Sequence, residues 1–444
     1  MFSCRWWLEV YASTWRSTTS RGILERVKRY NSSGTSIGPK RNSPKPTQRT
    51  NRKALPLDSD WKGKVIAGGA KLADGGVPTE TLSVHFYGTS SSGYSTKRWF
   101  TSIGLKLCFH NTPSYLLLFD AGEGTCRRLF DCGTAPCNID YIFITHMHPD
   151  HILGLPSLVI SAAERKKPLH IYGPEGIRFY LRSSLVSSRV RVPVPIHTHE
   201  LVIPEQQQSR RNAHFRHHLP PYRTEVEDSD IYPDENGVYR VVDTKGFTLT
   251  ASRLVHPVPC FGYVFEESSK RHFSEEKFQE LGVPRGSVRK RLASGHSVTL
   301  SDNRVVTPDQ VVSGIRPGRK VSIAVDTSDA SSLASLAQQS SLLIHDATNL
   351  EECVEESIQS GHSTAKMAGV FARQVNAEFL ALTHISPRIW SSEAEQQMIR
   401  EAIAGFGKRG RCIIAEDLCR IDLEEREMMG NNVVDTHKMS TESL

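Results

Sequence analysis

Hydrophobic and polar residues alternate over residues 82–87, and short apolar runs ending on polar residues recur through the rest of the chain. A period of two predicts a β-strand, and short apolar runs bounded by glycine or polar residues predict buried strands. Further strands are predicted at 102–109, 115–119, 141–144, 169–172, 238–242, 247–255, 260–265, 320–325, 342–346 and 379–384. Amphipathic helical stretches, such as the one around residues 126–130, separate some of these strands. Alternating strands and helices predict an α/β layered fold.

One predicted strand leads directly into metal-ligand residue types. The apolar run at 141–144 is followed by His-Met-His-Pro-Asp-His at 146–151. The first two histidines lie two residues apart, so on an extended backbone both side chains leave the same face, and a turn brings Asp150 and His151 to the same point. Imidazoles with a carboxylate suit zinc or a similar divalent ion. This segment therefore predicts part of a metal site.

Four later strand ends also carry histidine or aspartate. They are His256, Asp326, Asp346 and His384. Any one of these residues alone is more often structural than functional. Together with the first cluster they predict one constellation at the edge where strands end.

The composition is that of a soluble globular protein. The 444 residues are 38% hydrophobic and 23% charged, and no stretch approaches the roughly 18 apolar residues of a membrane span, so no membrane association is expected. A formal net charge of +7 favours acidic partners such as nucleic acid, although much of the excess lies near the N-terminus. The nine cysteines include no Cys-x-x-Cys pair, which favours reduced thiols in an intracellular protein.

Residues 1–54 are rich in Arg and Ser and contain only Glu9 and Glu25 as acids. This composition is typical of an organellar transit peptide, and the alternative is a disordered basic tail. We therefore expect a mitochondrial protein, with plastid, nuclear or cytosolic locations as alternatives. A linker is expected at 55–80 and a disordered tail at 430–444.

An irregular stretch at about 204–240 contains several His, Arg and Pro residues. Such tracts can bind metal, but the missing strand or helix period favours a solvated insertion.

The chain resembles the short form of tRNase Z, a family of transfer-RNA 3′-end endonucleases in the metallo-β-lactamase superfamily. The similarity covers about residues 82–425. It rests on Phe119-Asp-Ala-Gly-Glu-Gly-Thr125, Thr145-His-Met-His-Pro-Asp-His151, Val255-His-Pro-Val-Pro-Cys-Phe-Gly-Tyr263, Gly318-Arg-Lys-Val-Ser-Ile-Ala-Val-Asp-Thr327, His345-Asp-Ala-Thr348, Gly361-His-Ser-Thr364 and Leu382-Thr-His-Ile-Ser-Pro-Arg388. The resemblance implies an αβ/βα sandwich with a protruding tRNA-binding arm.

The resemblance also implies two zinc ions per subunit and assigns their ligands. His146, His148 and His256 would hold one ion, Asp150, His151 and His384 the other, and Asp326 would bridge them. A hydroxide shared by the ions would attack phosphorus, which removes the 3′ trailer from precursor tRNA and leaves a 3′-hydroxyl on the tRNA.

Further residues receive roles from the same resemblance. Besides Asp150, the expected catalytic residues are His362, at the leaving oxygen, and Asp346, which orients it. Asp346 stands where the family has glutamate. Substrate contacts are expected from Ser363, Thr364 and Arg388.

The arm would lie at about 273–317. Its basic residues could neutralise tRNA phosphates, the alternative being a solvated basic helix. They are Arg285, Arg289, Lys290 and Arg291. Short-form relatives also suggest a homodimer.

Two other functions stay open from the sequence. One is a superfamily hydrolase of another phosphodiester or small ester, and the other is a non-catalytic RNA-binding subunit. The complete set of ligand residues favours an enzyme.

Overall fold

A computed structural model describes residues 81–108, 114–162, 165, 167–204, 220–226, 230–408 and 411–424. The expected transit peptide, linker and C-terminal tail lie outside these residues, as do residues 205–219 and 227–229 of the expected insertion. The described part of that insertion contains a short strand at Glu225–Val226, where the sequence predicted no regular structure. In the part of the chain that is described, no helix is long and apolar enough to cross a membrane.

The first sheet has eight strands. They are β1 (Thr81–Gly88), β2 (Ser102–Cys108), β3 (Tyr115–Phe119), β4 (Tyr141–Phe143), β5 (Leu169–Pro174), β6 (Ile196–Leu201), β7 (Glu225–Val226) and β19 (Arg420–Leu423). Their order in the sheet is β19-β1-β2-β3-β4-β5-β6-β7. The neighbours from β3 to β7 are parallel, and the others are antiparallel.

The second sheet has seven strands. They are β8 (Val238–Asp243), β9 (Phe247–Leu254), β10 (Cys260–Glu267), β15 (Lys320–Ala324), β16 (Leu342–Asp346), β17 (Phe379–Thr383) and β18 (Cys412–Ile414). Their order in the sheet is β18-β17-β16-β15-β10-β9-β8. The neighbours from β15 to β18 are parallel, and the others are antiparallel.

The helices complete the layers. They are α1 (Thr125–Asp131), α2 (Pro149–Ile152), α3 (Leu155–Ser161), α4 (Ile177–Ser187), α8 (Val354–Ser360), α9 (Ala365–Gln374) and α10 (Ser392–Phe406), with 3₁₀ turns at Pro136–Asn138, Ser331–Leu333 and Glu351–Cys353. Buried side chains of both sheets, including Phe119 and Phe261, form one core between them. Helices α1, α3 and α4 cover the first sheet, and α9 and α10 cover the second. The predicted αβ/βα sandwich is confirmed.

Hydrogen bonds also join the two sheets beside the strand ends. Phe261 donates its backbone N–H to the carbonyl oxygen of Thr145 at 2.9 Å, and the buried Tyr263 hydroxyl donates to the carbonyl oxygen of Ile144 at 2.8 Å. A buried carbonyl without a partner is costly, so these bonds fix the approach of β4 to β10 where the chain turns into the histidine cluster.

Residues 270–316 form a small unit with its own hydrophobic cluster. Strands β11 (Lys270–Phe273) and β14 (Val312–Arg316) are its antiparallel base. Between them lie α5 (Glu275–Glu280), α6 (Ser287–Ala293), the paired strands β12 (Val298–Thr299) and β13 (Val305–Val306), and α7 (Pro308–Val311). Phe278, Leu292 and Val311 pack together in its centre. This unit corresponds to the segment expected at 273–317.

Candidate metal centre

The polar side chains lie where strands of both sheets end. His146 and His148 follow β4, and Asp150 and His151 lie on α2, the short helix that begins at Pro149. His148 is extended, with φ −70° and ψ 151°, as the residue before a proline should be. On the second sheet, His256, Asp326 and His384 follow β9, β15 and β17.

Three residues at these strand ends have left-handed backbones. They are Asp120 (φ 59°), Asp326 (φ 58°) and His384 (φ 59°). A residue other than glycine is uncommon there and costs roughly 1–2 kcal/mol. Each of these residues ends its strand abruptly and has its side chain within the polar centre at the sheet edge.

The structure brings the first expected ligand group together. The rings of His146, His148 and His256 have centroids 4.6–5.0 Å apart. His148 Nδ1 lies 3.2 Å from His256 Nε2, and His146 Nε2 lies 3.5 Å from Asp326 Oδ2. With Asp326, these side chains place one nitrogen or oxygen each within 4.8 Å of one another.

The second expected group is assembled in the same way. His151 Nε2 and His384 Nε2 face each other at 3.3 Å, and Asp150 Oδ2 lies 3.5 Å and 3.4 Å from these two nitrogens. Asp326 lies between the two groups, because its Oδ1 is 3.4 Å from His151 Nε2 and 3.0 Å from His384 Nε2, whereas its Oδ2 faces His146.

Hydrogen bonds at the far side of two of these rings orient His146 and His256. His146 Nδ1 pairs with the Thr145 hydroxyl at 3.0 Å, and His256 Nδ1 donates to the carbonyl oxygen of Gly361 at 2.8 Å. A histidine that donates from Nδ1 keeps its Nε2 lone pair for a metal. His146 Nε2 is buried and makes no hydrogen bond to the described residues.

Asp120 and Thr348 orient the second group and were missing from the predicted site. Asp120 Oδ2 accepts from His151 Nδ1 at 2.8 Å, and its carboxylate also accepts from the Thr145 hydroxyl. The Thr348 hydroxyl lies 3.0 Å from His384 Nδ1. The position of Asp120 directly after a strand, as for Asp326, was the signal that could have identified it.

The electrostatics favour a cation. Burial lowers the pKa of His146, His148 and His256, which keeps these imidazoles neutral. Burial opposes ionisation of Asp326, but neighbouring His384 and His151 hold its pKa well below the usual range. Burial also opposes charge on His151, yet the carboxylates of Asp326, Asp120 and Asp150 raise its pKa. The same carboxylates would stabilise a metal ion in place of that proton.

His362 and Asp346 form a pair beside these groups. His362 Nδ1 lies 3.1 Å from Asp346 Oδ2, so the shorter carboxylate reaches the histidine. Asp346 is buried and also accepts from the backbone N–H groups of Thr327, Thr348 and Ser363. Burial lowers the pKa of His362, but the charge and hydrogen bond of Asp346 raise it to about 9. The His362 ring is stacked on His384 with centroids 5.1 Å apart.

The three expected substrate contacts after His362 differ in exposure. Ser363 is buried and donates to the carbonyl oxygen of Thr327 at 2.5 Å. Thr364 is buried, caps α9 by accepting from the Met367 N–H, and donates to Glu351. These internal bonds argue against direct substrate contact and make both residues supports of the His362 loop. Arg388 is exposed.

The four expected tRNA-binding residues of the 270–316 unit also differ in exposure and in ion pairing. Arg289 is half-buried, pairs with Glu275 at 2.5 Å, and lies 4.6 Å from the Phe278 ring. Arg285 is exposed but also pairs with Glu275, at 3.1 Å. Lys290 and Arg291 are exposed, and neither forms an ion pair with the described residues. Of these four residues, Lys290 and Arg291 are therefore the cations most accessible to a ligand.

Two facing sheets with outer helices and His/Asp groups at their strand ends define a metal-dependent hydrolase of the metallo-β-lactamase fold. Residues 115–273 match the family model described as "Beta-lactamase superfamily domain".

Named relatives identify the family within this class of hydrolases. Ribonuclease BN of Cronobacter sakazakii is 33% identical over 328 residues, which is 73% of this chain and 95% of that protein. Ribonuclease Z of Streptococcus suis is 32% identical over 320 residues, 71% and 93% of the two chains. Human tRNase Z, short form (ELAC1), is 26% identical with a TM-score of 0.52, covering 77% and 99%. The chain belongs to the ribonuclease Z family.

Proposed function

We propose that this protein is a zinc-dependent endoribonuclease that removes the 3′ trailer from precursor tRNA and leaves a 3′-hydroxyl on the tRNA. The observation that carries the proposal is the two His/Asp ligand groups with Asp326 between them, found in a chain whose relatives are named ribonuclease Z and tRNase Z. The mitochondrial destination and the homodimer are further parts of the proposal. They rest on the composition of residues 1–54 and on the family resemblance.

The donor set fits two divalent cations. Five imidazoles and two carboxylates meet at the strand ends. The buried His146 Nε2 makes no hydrogen bond to the described residues, so its lone pair is available for a metal. Imidazole with carboxylate is a usual zinc environment. His146, His148 and His256 would hold one ion and Asp150, His151 and His384 the other, with Asp326 between them. When bound, the ions would activate water and neutralise charge on the phosphate.

His362 would act on the leaving group. Its Nδ1 is occupied by Asp346, so the Nε2–H is the proton available for the departing ribose oxygen. The Asp346 carboxylate stabilises the imidazolium form, and the hydrogen bonds that it accepts from three backbone N–H groups hold the carboxylate in place. Asp346 is thus a positioning residue, and His362 is the proposed general acid.

A cleavage assay tests the function as a whole. With zinc present, the purified protein should cut a defined precursor tRNA once, next to the discriminator base. A chelator should stop the reaction and added zinc should restore it, because no group in the protein can replace the metal. Sequencing gels and end-labelling would identify the cut and the 3′-hydroxyl. Turnover of bis(p-nitrophenyl) phosphate without precursor cleavage would instead favour a hydrolase of another phosphodiester.

For the 270–316 unit, we propose that Lys290 and Arg291 hold tRNA phosphates. Lys290→Ala combined with Arg291→Ala should weaken precursor binding and reduce the slope of log affinity against log salt by about 1–2, since each phosphate contact releases counterions. Affinities measured by filter binding at several salt concentrations provide both numbers.

The matched control removes two exposed arginines from the outer helices α9 and α10. Arg373→Ala combined with Arg400→Ala changes the net charge by the same amount and should leave the salt slope as it is. Equal slopes for both double variants would show that Lys290 and Arg291 act only through overall charge.

A further inference from the structure

Three exposed aromatic side chains lie on neighbouring loops beside the metal centre. Tyr94, Trp99 and Trp390 are 82%, 45% and 68% exposed, and we call them the aromatic patch. Large aromatic rings contribute strongly when buried and are usually covered in a folded protein. Neither the metal centre nor the His362 pair uses any of them.

Contacts between neighbouring loop residues join the patch. The Tyr94 hydroxyl donates to Glu123 Oε2 at 2.8 Å, and the Trp99 ring lies against Gly124, where an added Cβ would come within 2.3 Å of it. On the other side, the Lys97 ammonium donates to the carbonyl oxygen of Trp390. The loop at 89–101 therefore contacts both the loop after β3 and the loop after β17.

The patch is anchored to the metal centre through the backbone. Ser91 N–H donates to the carbonyl oxygen of Ile385 at 3.0 Å, directly after His384. Ala121 N–H donates to the carbonyl oxygen of His151 at 2.7 Å. The loops around the patch are thus joined by backbone hydrogen bonds to a ligand of the second group or to the residue next to one.

A buried arginine makes the same loop rigid. Arg98 donates to the Thr89 hydroxyl at 2.8 Å and to the carbonyl oxygen of Ala415 at 2.6 Å, and it pairs with Glu395 at 3.3 Å. The exposed rings are therefore carried on a backbone that is fixed on the protein side. Ordering the loop would cost little on binding.

Two cations at the patch carry no ion pair. Lys97 and Arg388 are exposed and form no ion pair with the described residues. The Arg128 guanidinium lies 5.6 Å from the Trp99 ring and pairs with Asp131 and Asp417, and Arg127 also pairs with Asp131. Exposed aromatic faces among cations match single-stranded nucleic acid, whose bases stack on rings while its phosphates meet positive charge.

We infer that the aromatic patch stacks unpaired RNA nucleotides next to the scissile phosphate. The inference rests on the proposed function for the identity of the substrate, but the stacking itself can be measured without cleavage. Duplex RNA hides its bases within the helix, so the patch selects for the single-stranded segment that flanks the cut.

Binding of short single-stranded RNA tests this inference. Fluorescence anisotropy would compare a labelled eight-nucleotide RNA with copies carrying one abasic nucleotide at each position, using the full chain. Loss of a stacked base should weaken binding by the unmodified protein roughly 5- to 100-fold. Trp390→Ala should lower affinity for the intact RNA by a similar factor and then show no further loss with the abasic copy. Trp390→Phe should restore most of the affinity and the abasic effect.

A second exposed aromatic residue provides the matched control. Tyr232 is 64% exposed and follows Ile231, which bridges to the end of β6. Tyr232→Ala should bind all of these RNAs as the unmodified protein does, because its ring lies outside the aromatic patch.

Three results would overturn the inference. They are an abasic penalty that persists in Trp390→Ala, unchanged binding of intact RNA by that variant, and a change of its oligomeric state in sedimentation while its RNA affinity stays intact. In the last case the patch would join copies of this chain. Normal stacking without precursor cleavage would instead count against the proposed function alone.

Discussion

Asp326→Ala should lower precursor tRNA cleavage by on the order of 10³-fold or more, because the carboxylate lies between both ligand groups. Its two oxygens face different histidines, with Oδ2 3.5 Å from His146 Nε2 and Oδ1 3.0 Å from His384 Nε2. No other described residue bridges the groups in this way. Elemental analysis of the purified variant should show a loss of bound zinc that parallels the loss of rate.

Two further variants make this result specific. Asp326→Asn keeps the side-chain volume and tolerates the left-handed backbone, so it should fold normally and still lose metal because the charge is gone. Asp329 is an exposed aspartate three residues later that hydrogen-bonds Ser331, and Asp329→Ala should retain metal and activity. Full zinc content and full rate in either Asp326 variant would show that the ligand assignment is wrong.

His362→Ala should lower the rate constant for trailer removal by roughly 10²–10⁴-fold, the usual contribution of a general acid. The ribose oxygen leaves as a strongly basic alkoxide unless it receives a proton. Nitrophenolate needs no proton to depart, so the same variant should lose much less activity on bis(p-nitrophenyl) phosphate. Steady-state kinetics with the two substrates measures this difference.

Two further measurements test the role of His362: the zinc content of His362→Ala and the kinetics of Asp346→Asn. His362 is not in either proposed ligand group, so His362→Ala should bind as much zinc as the unmodified protein. Asp346→Asn should reproduce part of the kinetic defect, because the neutral amide no longer stabilises the imidazolium. Equal losses on both substrates would assign His362 to metal binding or folding instead of proton transfer.

The hydrophobic pattern predicted the strands that carry the site because each is a short apolar run ending on a polar residue. It could not predict that β19 pairs with β1 at the sheet edge, since that pairing joins opposite ends of the fold. The left-handed turns at Asp120 and Asp326 were also beyond the sequence, because aspartate adopts that conformation only where the surrounding structure imposes it.

Side-chain roles were less predictable than side-chain positions. The resemblance gave Ser363 and Thr364 as substrate contacts, and only the structure shows that both are buried and that their hydroxyls bond inside the protein. Likewise, Arg289 and Lys290 are adjacent basic residues in the sequence. Only the fold distinguishes the guanidinium packed on Phe278 from the ammonium that faces solvent.

Each proposed ligand group takes side chains from both sheets. His146 and His148 come from the first sheet and His256 from the second, while Asp150 and His151 meet His384 across the same boundary. Ligation would therefore link metal affinity thermodynamically to the packing of one sheet on the other. Free zinc concentration would then set the resistance of the sandwich to unfolding and proteolysis, and chains that have not yet acquired metal would be the first to be degraded.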